Sequence, residues 1–159
     1  MTSSGIPPVD GRGCAVPRLA PGATGCVRCC VDVDRLLWVS LGSAIGGALR
    51  YATSQLALAL LGSSFPYGTL AVNLVGSFLI GLIMHVGISS NLISPAFRLF
   101  LTTGMMGGFT TYSAFNYETL TLLREGSWEM GLINALVMLV GCLAAGVAGV
   151  ALGRSLIGP

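Results

Sequence analysis

Three stretches of this 159-residue chain, 51–97, 99–117 and 130–153, contain no Asp, Glu, Lys or Arg. Because a helix needs about 20 mainly apolar residues to cross a bilayer core, runs of this length are material for membrane spans. Charged residues make up 9% of the chain, against roughly 25% in an ordinary soluble domain, too few for a water-facing coat. Half of them fall in the first 35 residues, leaving Arg50, Arg98, Glu118, Arg124, Glu125, Glu129 and Arg154 for the rest. The body therefore reads as an all-α integral membrane protein, which excludes water-soluble enzymes and nucleic-acid binders. A net charge of +2 is too small to argue for an anionic partner.

Residues 1–35 hold four of the seven Pro and four of the five Cys, with no periodicity that could bury a core, and read as a disordered N-terminal tail. A secretory signal is not expected, since the long apolar run begins after this segment, at Leu36, and continues into further spans. Cys14, Cys26, Cys29 and Cys30 lack the paired spacing of structural zinc sites and read as reduced thiols. The second domain, 36–159, holds four spans at about 36–61, 67–89, 97–121 and 129–153, with breaks at 62–66, 89–95 and 124–127. Four crossings place both termini on one side, with Arg35, Arg98 and Arg154, and leave Arg124 and Arg50 for the other. That asymmetry specifies orientation only weakly.

Small residues recur at helical spacing: Gly42 with Gly46 and Ser43 with Gly47 in the first span, and Gly141, Ala145, Gly149 and Gly153 in the last. Such stripes let helix backbones approach closely. In the second span Asn73, Ser77 and Gly81 share a face. An amide there either hydrogen-bonds a neighbouring helix or donates its NH2 to a passing anion. His85, near the end of that span, reads as a wetted interfacial residue.

The third span reads TTGMMGGFTTYSAFNYE from Thr102 to Glu118. Its glycines and hydroxyl residues predict a helix broken around the Gly-Gly pair, with freed carbonyls and amides facing protein, water or an ion. Tyr112 and Phe115 share a face, and their positive ring edges can meet an anion without a formal charge. Arg50 and Glu118 are the charges well inside spans, reaching a water-filled vestibule or serving structure. No Ser-His-Asp set, HExxH, phosphate loop or carboxylate pair is present, so no catalysis is expected.

Taken in order, Gly46-Gly47-Ala48-Leu49-Arg50-Tyr51, the stretch from Gly68 to Phe78, and the stretch from Gly104 to Phe115 followed by Glu118 resemble the motifs of the CrcB/Fluc family of small fluoride channels. The resemblance implies a dual-topology dimer in a plasma membrane, here a bacterial inner membrane. Two antiparallel copies, multi-pass and embedded in the lipid bilayer, would enclose two fluoride pores around one structural sodium ion (Na+). It places the sodium-binding carbonyls on Gly107 and Thr110, the pore amide on Asn73, the two pore aromatics on Tyr112 and Phe115, and a hydroxyl track on Thr111 and Ser113. Tyr112 departs from the Phe usual in the family. In the fourth span Asn134 is the obvious polar partner. The implied activity is passive fluoride export that relieves fluoride toxicity. The alternative is a small dual-topology multidrug or cation antiporter, which wants an acidic residue in the first span where this chain has Arg50.

Overall fold

A computed structural model describes residues 32–89 and 94–157. Residues 1–31 of the tail, with its four cysteines, lie outside these residues, as does most of the 89–95 break. Every regular element among the described residues is helical: α1 Val33–Leu61, α2 Tyr67–Ser89, α3 Pro95–Leu99, a π-helical segment Phe100–Met106, the single turn α4 Gly107–Phe109, α5 Tyr112–Arg124 and α6 Trp128–Ile157. Segments α3 to α5 together make the third predicted span. Two helices are long and apolar enough to cross a membrane, over Tyr67–Gly87 in α2 and Trp128–Leu156 in α6.

Boundaries follow local chemistry. Helix α1 begins at Val33, three residues inside the segment assigned to the tail, because Asp34 suits the first turn and Arg35 pairs with Asp32 at 3.2 Å. At its end Gly62 takes φ +78, and its N–H donates to the Leu58 carbonyl at 3.0 Å. Ser94 caps α3 by accepting from the Phe97 N–H, with Pro95 opening the first turn. Helix α5 ends in a Schellman motif: Gly126 at φ +83 bonds Leu123, and Ser127 bonds Leu122.

Polarity is arranged as a bilayer solvent demands. The buried apolar side chains are Val72, Met106, Phe109 and Met138, while Thr69, Asn73, Thr111 and Asn134 are also buried. Leu36, Leu41, Leu60, Leu132, Leu139 and Val147, among many large apolar residues, face outward. In lipid, exposed leucines cost nothing and polar groups must find one another inside the protein.

Packing is backbone against backbone. A Cβ on Gly42 or Gly46 would strike the main chain of the π-helical segment, and one on Gly108 would strike Ser43. The Ser43 hydroxyl donates to the Gly104 carbonyl at 3.4 Å. A Cβ on Gly47 would meet nothing within 4 Å among the described residues. Between α2 and α6, Gly81 meets the Gly146 carbonyl and Gly149 meets the Phe78 carbonyl. Gly153 lies against the His85 ring, which makes His85 a packing residue as well as one near a span end. Positions on the α6 stripe therefore differ in kind. Gly149→Ala is expected to lower the midpoint of thermal unfolding in detergent, at a cost of about 1–3 kcal/mol for overpacking against rigid backbone. Gly141→Ala meets only the movable Leu74 Cδ2 at 3.0 Å and should shift the midpoint far less. Equal shifts would show that the stripe packs uniformly.

Candidate functional site

The third span breaks at two residues. Thr110 (φ −81, ψ 158) and Thr111 (φ −153, ψ 119) are extended between the last residue of α4 and the first of α5. The glycines do not form the break, contrary to the expectation from sequence: Gly107 is helical at φ −62, ψ −37. Extended backbone requires no positive φ and suits β-branched Thr. Gly104 and Gly108 instead permit close approach to α1.

Leaving the helix strands Thr111's backbone groups, and Asn73 takes both. The Thr111 N–H donates to Asn73 Oδ1 at 2.8 Å, and Asn73 Nδ2 donates to the Thr111 carbonyl at 2.9 Å. Of the two partners left open for this amide, the structure supplies the neighbouring span. The same Nδ2 also lies 3.4 Å from Met138 Sδ, a weak acceptor. Thr111 Oγ1 caps α5 by accepting from the Ala114 N–H at 3.2 Å, and lies 3.2 Å from Ser113 Oγ. Both the N–H and the hydroxyl of Thr110 donate to the Met106 carbonyl. Among the described residues the carbonyls of Gly107 and Thr110 receive no hydrogen bond. Gly76 makes room for the break, since a Cβ there would collide with Thr110 Cγ2.

Beside the break runs an open groove of about 740 Å³, lined by Asn73, Gly107, Thr110, Thr111, Tyr112 and Phe115 together with residues of α2, the π-helical segment and α6. Its lining carries no charged side chain. The Tyr112 and Phe115 rings meet edge to face, centroids 5.5 Å apart. Tyr112 is 78% exposed in the single chain, while Phe115 is half-buried. Ser113 stands at the break but is exposed and not part of the lining.

Glu118 belongs to a second cavity of about 400 Å³, between the 62–69 connection and the end of α5. Thr69 donates its hydroxyl to Glu118 Oε1 at 2.6 Å, while Oε2 is buried without a partner among the described residues. Arg50 is half-buried on α1, lines neither cavity and makes no ion pair among the described residues. The two charges inside spans thus stand in different surroundings, Glu118 in a cavity and Arg50 outside both. Thr69 was missed, although it sits four residues before Asn73 on the same face. Asn134 is fully buried: Nδ2 donates to Thr119 Oγ1 at 2.8 Å, Thr119 donates to the Phe115 carbonyl at 2.8 Å, and Asn134 Oδ1 has no partner among the described residues. Chemically, the groove offers hydroxyls, ring edges and free carbonyls without fixed charge, a surface that suits a small ion.

Residues 37–150 match the family model described as CrcB-like protein, Camphor Resistance (CrcB). A protein of Sorangium cellulosum (strain So ce56) named fluoride-specific ion channel FluC is 50% identical over 125 residues, covering 79% of this chain and 98% of that protein. The protein of the same name from Anaeromyxobacter dehalogenans (strain 2CP-1 / ATCC BAA-258) is 50% identical over 124 residues, 78% of this chain and 98% of its own length. Another, from Geobacter sp. (strain M21), is 43% identical over 124 residues, 78% of this chain and all of its own.

Proposed function

This chain belongs to the CrcB-like family, and on that premise we propose that it is a fluoride-specific ion channel, through which fluoride leaves the cytoplasm down its gradient. The observation that carries the reading is the uncharged groove at the Thr110–Thr111 break, into which hydroxyls and the Tyr112–Phe115 ring pair converge. Fluoride is small and strongly hydrated, so it must exchange water for closely spaced donors and ring edges; chloride is too large to do so well. Thr111 and Ser113, their hydroxyls 3.2 Å apart, form the proposed polar track, and Glu118 faces a vestibule. Nothing supports an antiporter: residues 36–61 carry Arg50 and no carboxylate.

The working unit in this reading is an antiparallel homodimer, multi-pass in a bacterial inner membrane. Weak charge asymmetry and the 78% exposure of Tyr112 in a single chain support it, because a second copy would close the groove. The unbonded carbonyls of Gly107 and Thr110 fit a sodium ion, a hard cation that prefers oxygen ligands. Bound there, the ion would supply a fixed positive charge that holds the two breaks in register.

Purified protein in liposomes should release fluoride rapidly, read by a fluoride-selective electrode, and retain chloride. Equal release of both ions, or of neither, overturns the reading. Replacing sodium by N-methylglucamine from lysis onward should abolish efflux and dissociate the dimer on size exclusion. Indifference to that exchange would make Gly107 and Thr110 a packing break only.

A further inference from the structure

Asn134 is 0% exposed on α6, yet it lines neither cavity and leaves its Oδ1 without a partner among the described residues. An orphaned buried acceptor lowers stability, so a residue kept only to fill the core would be better apolar. The other end of the amide shows what the position gains. Its Nδ2 donates to Thr119 Oγ1 at 2.8 Å, and that hydroxyl donates to the Phe115 carbonyl at 2.8 Å. We propose that Asn134 is a positioning residue for Phe115: acting through Thr119, it fixes the direction of the ring that lines the groove, at a cost in stability. The proposal deepens the channel reading above and rests on it for the effect on efflux.

Spacing along α5 argues for this role. Phe115 and Thr119 are four residues apart and share a helix face, and Thr111, which caps α5, lies four residues before Phe115. Asn73 of α2 holds the Thr111 backbone, and Asn134 of α6 holds the Thr119 side chain. Two buried amides from different helices thus restrain the turns on either side of the ring. Helix α2 also reaches Glu118, through the Thr69 hydroxyl. Without Asn134 these polar restraints on α5 would all come from α2, and rotation relative to α6 would be left to apolar contact alone. A Thr hydroxyl bonded to the carbonyl four residues back bends its helix slightly. By donating to that hydroxyl oxygen, Asn134 keeps its proton on the Phe115 carbonyl, and bonds linked in series strengthen one another in a low-dielectric interior. Gly131, three residues before Asn134, allows the approach: a Cβ there would stand 2.8 Å from Leu123 Cδ2 and 3.6 Å from the Thr119 carbonyl.

The test places para-fluorophenylalanine at position 115 of the full chain, in detergent and fluoride-free buffer, so that fluorine NMR reports this ring alone. A single resonance is expected for the parent. Asn134→Leu keeps the side-chain size and removes both the bond to Thr119 and the orphaned acceptor. It should hold or raise the midpoint of thermal unfolding while it shifts or splits the resonance. With ordinary Phe115, the same substitution should slow electrode-read fluoride efflux from liposomes at least about fivefold. Thr119→Val should change spectrum and efflux in the same direction, whereas Thr119→Ser, which keeps the hydroxyl, should rescue both. If Asn134→Leu does not fold, Thr119→Val against Thr119→Ser decides. A parental resonance in Asn134→Leu, or one moved as far by Thr119→Ser as by Thr119→Val, overturns the positioning. Slowed efflux with an unmoved resonance does so too, as does a moved resonance with parental efflux. A lowered midpoint in Asn134→Leu overturns the cost in stability and makes the amide a stabilising contact. No efflux from the parent counts against the channel reading, and the spectra still decide whether Asn134 sets the ring.

Discussion

Asn73→Ala should lose fluoride efflux and thermal stability together. The side chain accepts from the Thr111 N–H at 2.8 Å and donates to the Thr111 carbonyl at 2.9 Å, in a site where Asn73 and Thr111 are each only 8% exposed. Truncation strands a buried donor and a buried acceptor, each costing about 1–3 kcal/mol, or about 2–6 kcal/mol for the pair. The extended Thr110–Thr111 link should then re-form as helix or fluctuate, displacing Tyr112 and Phe115, which follow it directly. Thermal unfolding followed by size exclusion, beside electrode-read efflux, measures both effects. Asn73→Asp separates the two hydrogen bonds: it still accepts from the Thr111 N–H but turns a carboxylate oxygen toward the Thr111 carbonyl, and it should also lose efflux. An Asn73→Ala protein with parental stability and no efflux would instead assign the amide to the ion itself. Parental behaviour in both measurements would remove Asn73 from the site.

Phe115→Ile should cut fluoride efflux severely while the protein stays folded. The ring lines the groove next to the break and meets Tyr112 edge to face. An aliphatic side chain fills similar space, at a packing cost of about 1 kcal/mol, but offers a partly dehydrated anion no positive edge. The Phe115 carbonyl still receives the Thr119 hydroxyl, so the local backbone bond survives the change. Tyr112→Phe keeps the ring edge and should alter efflux only mildly. A folded Phe115→Ile protein with parental efflux would make the ring core filler.

Much of the architecture was legible because its determinants are local. Charge-free runs mark spans, Gly62, Gly126 and the Ser94-Pro95 pair end or start helices, and alternation with period 3.6 put Asn73 and Ser77 on one face. The hydroxyl and glycine run from Thr102 to Ser113 announced a broken span, since no lipid-facing helix would carry it. Its three motifs also sufficed for the family.

Tertiary structure decided where the break falls and what each small residue is for. Gly107-Gly108 is the obvious weak point in one dimension, yet the chain opens at Thr110–Thr111. There an amide 38 residues away replaces the lost helix bonds, and the missing Cβ of Gly76 leaves room. Likewise Gly46 and Gly47 are neighbours in sequence, and among the described residues a Cβ on Gly46 would strike another segment while one on Gly47 would meet nothing. The same holds for Glu118, whose Thr69 partner and cavity are set by how α2 meets α5, and for Arg50, which reaches neither cavity. Periodicity states which face of a helix a residue occupies. Which backbone or side chain fills the space opposite depends on three-dimensional packing between distant segments, and that is where hydrogen bonds are satisfied and an ion site is made.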